Sequence, residues 1–184
     1  MPKDQLVEHE IVSTELVFKG RIWNVVSEAF RYSDGILVRD FVRHPGAVAV
    51  IALNSSNEIL MVRQYRHPVR KLLWEIPAGL LDIPGESFEQ AARRELREET
   101  SFDARSLEHL ITFHTSPGGN DETITVFLAT DLESVNHDFV AEGEESDMLV
   151  EWVPFERALA SVLASETQNP STVVAVLALA QRLK

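Results

Sequence analysis

Two glutamates near the middle of the chain, Glu95 and Glu99, have the side-chain type and spacing to bind a metal ion together. Residues four apart lie on one side of an α-helix, so these two carboxylates would lie close together. Burying carboxylates without a partner is costly, and adjacent carboxylates repel each other. Protonation or a bound cation removes this cost, and oxygen ligands favour hard divalent ions such as Mg²⁺ or Mn²⁺. The spacing therefore indicates a divalent metal site.

The surrounding segment predicts the helix that would carry these glutamates, over residues 86–100. Ser87 and Gln90 have the spacing of a capping box, which places the start of the helix near Ser87. At about 100° per residue, Glu95 and Glu99 continue an apolar face of this helix. That face is formed by Phe88, Ala91 and Ala92. The competing interpretation is a charged surface helix stabilised by two i,i+4 ion pairs, Glu89–Arg93 and Arg94–Glu98.

A longer pattern around this helix resembles the signature of the Nudix hydrolases, which reads Gly, then Glu, then Arg-Glu-apolar-x-Glu-Glu-x-Gly. The corresponding residues are Gly79, Glu86 and the run Arg94-Glu95-Leu96-Arg97-Glu98-Glu99-Thr100. The interval from Gly79 to Glu86 is one residue longer than usual, which indicates a larger loop before the helix. Ser101 stands where the family has glycine. That glycine is typical of a left-handed C-cap, where serine costs about 1 kcal/mol.

The resemblance implies roles for the residues on and beside the helix. Glu95 and Glu99 would be the main metal ligands, with Glu98 as a further ligand or water contact. The carbonyl of Ala78 would be a backbone ligand. Arg94 would orient the carboxylates, and it is grouped with Glu98 among the expected catalytic residues. The expected cofactor is Mg²⁺, with Mn²⁺ as the alternative.

Glu86 has two interpretations of similar weight. It either supports the loop and the start of the helix, as the resemblance implies, or supplies a favourable negative charge at the helix N-terminus. Neither interpretation makes it a direct metal ligand.

Three segments, 62–66, 74–79 and 115–122, resemble the ADP-ribose pyrophosphatase branch of the family. The substrate-binding residues expected from these segments are Arg63, Arg66, Glu75, Pro117 and Gly118. Arginine forks suit phosphate oxygens, and the resemblance makes Arg66 the preferred phosphate contact. As alternatives, both arginines could be solvent-facing strand residues, and residues 115–119 could form only a turn.

This branch implies hydrolysis of the diphosphate of ADP-ribose, in which ADP-ribose and water give AMP and ribose 5-phosphate. Relatives of the branch bring a mobile glutamate over the site as a base, and the acidic segment 141–147 lies at the corresponding place. Glu144 matches that glutamate best, with Glu145 and Glu142 as alternatives, and a solvated loop is the competing interpretation. The alternative functions are hydrolysis of another nucleoside diphosphate sugar or dinucleotide, such as GDP-mannose or NADH, and non-catalytic sensing of ADP-ribose.

The elements around the helix predict an α/β fold. Strands are expected at 6–18, 22–30, 36–43, 106–114, 123–130 and 148–153, with a hairpin of strands 47–53 and 58–66. Closing helices are expected at 155–165 and 171–183. Asn169 has the position of an N-cap, followed by Pro170 at the first helical residue. The prediction is a Nudix-type α/β/α sandwich with a mixed sheet over residues 45–184.

A small antiparallel β subdomain over residues 1–44 is expected to precede the sandwich. In relatives of this type, the N-terminal strands build a homodimer interface that shares the base pocket between subunits. The aromatic residues in these strands that could contact the base are Phe18, Trp23 and Phe30. Packing in a core is the alternative for each of them.

Composition limits the class of protein. The 184 residues, 45% of them hydrophobic, fit one globular domain with a small subdomain. The chain contains no cysteine, which excludes disulfides and thiolate metal sites and fits a reducing cytoplasm. The net charge of −12 disfavours nucleic acids and anionic membranes as partners. Without an apolar stretch of signal-peptide or membrane-spanning length, we expect a soluble protein.

Overall fold

The computed structural model describes residues 1–136 and 147–184 of the chain. These residues form the strands β1 (Ile11–Lys19), β2 (Asn24–Tyr32), β3 (Gly35–Arg43), β4 (Ala47–Ala52), β5 (Glu58–Arg66), β6 (Lys71–Glu75), β7 (Ala78–Leu80), β8 (Phe102–His114), β9 (Thr123–Ser134) and β10 (Leu149–Pro154). They also form the helices α1 (Phe88–Thr100), α2 (Phe155–Leu163) and α3 (Pro170–Arg182).

The chain divides into two compact units, Met1–His44 with His114–Glu122 and Pro45–Phe113 with Thr123–Lys184. The first unit contains an antiparallel sheet in the order β1-β2-β3. This confirms the antiparallel N-terminal sheet, although β1 begins at Ile11, five residues later than predicted. All residues of β1 are exposed, and several are large and apolar: Leu16, Val17 and Phe18.

The second unit contains two sheets, one in the order β7-β4-β9-β8 and the other in the order β10-β5-β6. In the four-stranded sheet, β4 runs parallel to β9 and antiparallel to β7, so the sheet is mixed, as predicted. All residues of β4 are buried. This agrees with the continuous apolar sequence expected of a strand that is covered on both faces.

Alternate residues of β4 belong to two hydrophobic cores, because successive side chains point to opposite faces of a strand. The even-numbered residues pack with α1: Val48, Val50 and Ala52. The odd-numbered residues pack with α2 and α3: Ala47, Ala49 and Ile51. Helices therefore cover both faces of the sheet, which confirms the predicted α/β/α sandwich.

The predicted hairpin of β4 and β5 is wrong, because the two strands belong to different sheets. A bridge between Leu53 and Ile59 joins the two segments where they meet. The side-chain oxygen of Asn54 accepts hydrogen bonds from the N–H groups of Ser56 and Glu58, both at 2.9 Å. The turn residues are thus as expected. Turn chemistry does not decide strand pairing here, because the apolar pattern of both strands suits more than one partner.

The sequence does not predict the short strands β6 and β7. Pro77 lies between them, at a point where a residue without an N–H group interrupts a strand. The side chain of Asn169 accepts a hydrogen bond from the N–H of Thr172, which confirms the predicted cap of α3. Within residues 1–136 and 147–184, no helix has the length and apolar character to cross a membrane.

Candidate active site

Helix α1 has the two ends that the sequence predicts. The hydroxyl of Ser87 accepts a hydrogen bond from the N–H of Gln90 at 3.2 Å, and the N–H of Ser87 donates to the side chain of Gln90 at 2.8 Å. This confirms the capping box. Ser101 takes φ 60° and ψ 28°, and its N–H donates to the carbonyl of Arg97. The left-handed C-cap is therefore present, with serine in a conformation that favours glycine.

The buried face of α1 differs from the prediction at Phe88. The buried residues of the helix are Ala91, Ala92, Leu96 and Thr100. Phe88 is 51% exposed, so its assignment to the buried face is wrong. It is the first residue of the helix, and it lines an open pocket with Thr125 and Phe127 instead of entering the core.

Gly79 of β7 lies against the side chain of Glu95. A Cβ atom at position 79 would overlap the carboxyl group of Glu95. Only a residue without a side chain leaves room for this carboxylate beside the strand. Packing thus gives a physical reason for glycine at the start of the signature.

A single guanidinium, that of Arg94, contacts three glutamates. Its Nε and Nη2 atoms donate to the two carboxylate oxygens of Glu86, each at 3.0 Å. Its Nη1 atom donates to Glu95 at 2.5 Å and to Glu98 at 3.2 Å. The hydrogen bond from Arg94 lowers the pKa of Glu86, and the same contact raises the pKa of Arg94. Arg94 therefore remains charged and favours the ionised form of Glu86.

Glu99 turns toward the strand that follows Pro77. The N–H of Ala78 donates a hydrogen bond to Oε2 of Glu99 at 3.2 Å. Glu95 and Glu98, by contrast, contact Arg94. Among residues 1–136 and 147–184, no three His, Asp or Glu side chains are arranged to hold a metal ion together.

The chemistry of these side chains nevertheless fits a hard divalent cation. The four glutamates on and beside α1 carry four negative charges, and Arg94 supplies one positive charge. The excess of negative charge lies on partly buried oxygen atoms, which are the ligands that Mg²⁺ and Mn²⁺ prefer. The space that Gly79 leaves for Glu95 places one of these carboxylates next to the backbone of β7.

Arg66 and Glu75, both expected to bind substrate, contact each other. The Nε and Nη2 atoms of Arg66 donate to the two oxygens of Glu75 at 2.9 and 2.7 Å. Glu75 is 2% exposed, whereas the side chain of Arg66 is 41% exposed. The guanidinium of Arg63 instead lies over the ring of Trp74, 5.4 Å from the ring centre. The two arginines thus have different surroundings, and Arg66 keeps part of its side chain accessible.

The family model described as NUDIX domain matches residues 43–175, which is more than half of the chain. The chain belongs to the Nudix family. An ADP-ribose pyrophosphatase from Mycobacterium tuberculosis is 40% identical over 94% of this chain and 84% of its own length. A methanol dehydrogenase activator from Bacillus methanolicus is 38% identical over 94% of this chain and 92% of its own length.

A solved structure described as an ADP compounds hydrolase is similar to this Nudix protein with a TM-score of 0.79. The similarity covers 98% of this chain and 97% of that chain, at 23% sequence identity. It supports the Nudix fold over the length of the chain. Together with the family match, these relatives identify a Nudix hydrolase, as predicted. Nudix hydrolases generally depend on divalent metal ions.

The segment with Pro117 and Gly118 belongs to the first unit and forms a turn. The N–H of Gly119 donates to the carbonyl of Ser116 at 2.9 Å, and the N–H of Asn120 donates to the same carbonyl at 3.0 Å. Both Pro117 and Gly118 are exposed. The turn interpretation describes the backbone of this segment, and substrate binding by these two residues stays a prediction.

The three glutamates considered as the base, Glu142, Glu144 and Glu145, lie outside the described residues. Their role in the Nudix reaction stays a prediction from the sequence.

The sequence analysis did not predict one side chain that contacts helix α1. Asp103 accepts hydrogen bonds from Arg93 at 3.1 Å and from Arg97 at 3.0 Å. Of the two ion pairs in the competing surface-helix interpretation, Arg94–Glu98 is present, whereas Arg93 pairs with Asp103. An acidic residue just beyond two arginines of the last helical turns is the signal that could have predicted this contact.

Proposed function

We propose that this Nudix hydrolase cleaves the diphosphate of ADP-ribose to give AMP and ribose 5-phosphate. The observation that carries the proposal is the group of glutamates on α1 that Arg94 and Gly79 hold in place. The 40% identity to an ADP-ribose pyrophosphatase over 94% of the chain supports this choice of substrate.

The proposal assigns a divalent cation, Mg²⁺ or Mn²⁺, to Glu95, Glu99 and the carbonyl of Ala78, with Glu98 as a further ligand or water contact. When bound, the cation supplies positive charge to the diphosphate and makes a water molecule more acidic. The hydrogen bonds from Arg94 to Glu95 and Glu98 hold these two carboxylates before the cation binds. Arg94 thus limits the rearrangement that binding requires.

Residues outside the helix would bind the substrate and accept a proton. We propose that the accessible part of Arg66 contacts a phosphate oxygen while Glu75 fixes its orientation. Arg63, Pro117 and Gly118 are proposed as further substrate contacts. Glu144, or else Glu145, is the proposed base that accepts a proton from the attacking water.

A substrate panel tests the reaction. The purified protein is incubated with Mg²⁺ and with ADP-ribose, GDP-mannose or NADH, and the products are separated by chromatography. We expect the wild type to release AMP selectively from ADP-ribose. In Glu99→Gln, the rate of AMP release should fall by about a hundredfold or more. Glutamine can still accept the hydrogen bond from Ala78, so this variant retains its fold. Glu89→Gln, on the exposed side of the first helical turn, is the matched control and should retain full activity.

The other outcomes of the panel distinguish the alternatives. Preferential turnover of GDP-mannose or NADH would support the proposed metal site and assign a different substrate. Tight binding of ADP-ribose without turnover by the wild type would show that the protein is a non-catalytic sensor of ADP-ribose.

We further propose that the N-terminal strands form the interface of a homodimer that contributes to the base pocket. The support is the exposed apolar surface of β1, since natural proteins rarely leave long apolar edge strands uncovered. Light scattering after gel filtration should show a dimer for the wild type and a monomer for Leu16→Glu. Leu163→Glu changes an apolar residue of α2 that is more exposed than Leu16, and it should leave the dimer intact. The absence of cysteine leads us to propose the cytoplasm as the location.

A further inference from the structure

The segment from Glu75 to Ala78 leads from β6 into β7 and carries the backbone that lies beside Glu99. Four successive residues of this segment are each held by a different element of the second unit. The contacts are Glu75 with Arg66 of β5, Ile76 with Thr172 of α3, Pro77 with Val50 of β4, and Ala78 with Glu99 of α1. The position of the Ala78 carbonyl therefore depends on elements that are far apart in the chain.

Thr172 makes the contact that comes from the greatest sequence distance. The N–H of Ile76 donates to Oγ1 of Thr172 at 3.0 Å, across 96 residues of sequence. Thr172 is fully buried and Ile76 is 1% exposed, so water cannot readily replace this hydrogen bond. The hydroxyl of Thr172 donates in turn to the side-chain oxygen of Asn169 at 3.1 Å. Its proton is thus directed away from Ile76, and its lone pairs are available to accept.

The cap of α3 does not require this hydroxyl. Asn169 already accepts a hydrogen bond from the N–H of Thr172 at 3.0 Å, which any residue except proline can donate at that position. The acceptor function of Thr172 Oγ1 is therefore directed at the β6–β7 segment and is additional to helix capping.

We propose that Thr172 is a positioning residue for the metal site. Its hydroxyl fixes the backbone of Ile76 so that, two residues later, Ala78 presents its carbonyl on the same side as the carboxylate of Glu99. This inference rests on the metal assignment under Proposed function and extends it to a residue on the opposite layer of the sandwich. Substitution of a residue that holds a metal ligand in place typically lowers the metal affinity by about tenfold or more.

The test compares substitutions of Thr172 with a control substitution by their effect on Mn²⁺ binding. Thr172→Val removes the hydroxyl at nearly constant volume, and Thr172→Ser retains it. Thr167→Val is the matched control, because Thr167 is also buried and its hydroxyl contacts Ser161 at 2.8 Å, away from the β6–β7 segment. Mn²⁺ affinity is measured by electron paramagnetic resonance without substrate, alongside urea unfolding and the steady-state constants.

We expect Thr172→Val to weaken Mn²⁺ binding by about tenfold or more and to lower kcat, while Thr172→Ser stays close to the wild type. Thr167→Val should lose stability to a similar extent without losing Mn²⁺ affinity. Hydrogen exchange of the metal-free protein should show faster exchange at the Ile76 and Ala78 amides in Thr172→Val. Thr172→Cys, which retains a weak acceptor, should give an intermediate affinity and replaces the valine variant if that variant does not fold.

Unchanged Mn²⁺ affinity in a folded Thr172→Val protein would overturn the positioning role and leave a purely structural hydroxyl. A wild type that does not bind Mn²⁺ would instead overturn the metal assignment itself. Failure of the inference and failure of the proposed function are therefore distinguishable in one experiment.

Discussion

Gly79 and Glu95 occupy neighbouring positions in which the missing side chain of one makes room for the carboxylate of the other. Glycine at 79 lies on β7, and Glu95 lies in the middle of α1. The group that a larger residue would meet is the flexible end of a glutamate, so it can move aside without disturbing the core. The relationship therefore concerns the place of a carboxylate more than the stability of the fold.

Gly79→Ala should consequently separate activity from stability. The added methyl group displaces Glu95 from β7 and from its contact with Arg94, so we expect at least about a tenfold loss in kcat/KM. The free energy of unfolding in urea should change by less than about 1 kcal/mol. Gly35→Ala is the control, because nothing lies within 4 Å of a Cβ at position 35, and it should retain wild-type activity. A large loss of stability in Gly79→Ala would contradict this explanation.

The pair of Glu86 and Arg94 predicts a pH-dependent contribution to stability. Arg94 lowers the pKa of Glu86 below its usual 4.5, so the folded chain binds this proton less tightly than the unfolded chain. The contribution is fully present above the unfolded pKa and is lost as the pH falls through the lower folded pKa. We expect the difference in unfolding free energy between the wild type and Glu86→Gln to shrink from about pH 6 to about pH 3.

The double-mutant cycle with Arg94→Met isolates this interaction. In the absence of Arg94, the Glu86→Gln substitution should no longer produce a pH-dependent difference in the free energy of unfolding. A difference that persists without Arg94 would assign the effect to another partner of Glu86.

Arg66 and Arg63 should differ in their effects on stability. Arg66→Met leaves the carboxylate of Glu75 buried without its bidentate partner, and we expect a loss of about 2 kcal/mol in urea unfolding. Arg63→Met removes a cation–π contact with Trp74 and should cost about 0.5–1 kcal/mol. Equal losses in the two variants would show that the Arg66–Glu75 pair contributes little.

Replacing Ser101 should stabilise the protein. Its φ of 60° is unfavourable for a residue with a Cβ, so Ser101→Gly should raise the free energy of unfolding by about 0.5–1 kcal/mol. Ser165 has the same φ after α2, and Ser165→Gly provides an independent measurement of the same effect. Unchanged ADP-ribose hydrolysis in Ser101→Gly would show that the departure from the signature affects the helix end alone.

The parts of the fold that local sequence determines are predicted well. The start and end of α1 follow from Ser87, Gln90 and Ser101, whose hydrogen bonds and conformation act within one helical turn. The cap of α3 at Asn169 is local in the same sense. These features can be read from the sequence because each depends on neighbours a few residues away.

Contacts between distant segments are predicted less well. The pairing of β4 with β9 rather than β5 depends on how whole strands assemble, and both alternatives bury apolar residues. In the site, the resemblance places Arg66 and Glu75 among the substrate contacts, but nothing in the sequence indicates that they bind each other. Thr172 belongs to no sequence motif described above. Its contact with Ile76 arises only when α3 packs beside β6.

The shared use of β4 by two hydrophobic cores limits how this chain can change in length. Inserting or deleting one residue within 47–52 would turn every following side chain of the strand toward the opposite helix layer. Small and branched residues would then exchange places in both cores at once, including the core under the glutamate-bearing helix. The adjoining turn at 53–57 lacks this constraint because most of it lies at the surface. Natural and engineered length variation should therefore accumulate in that turn and spare the strand before it.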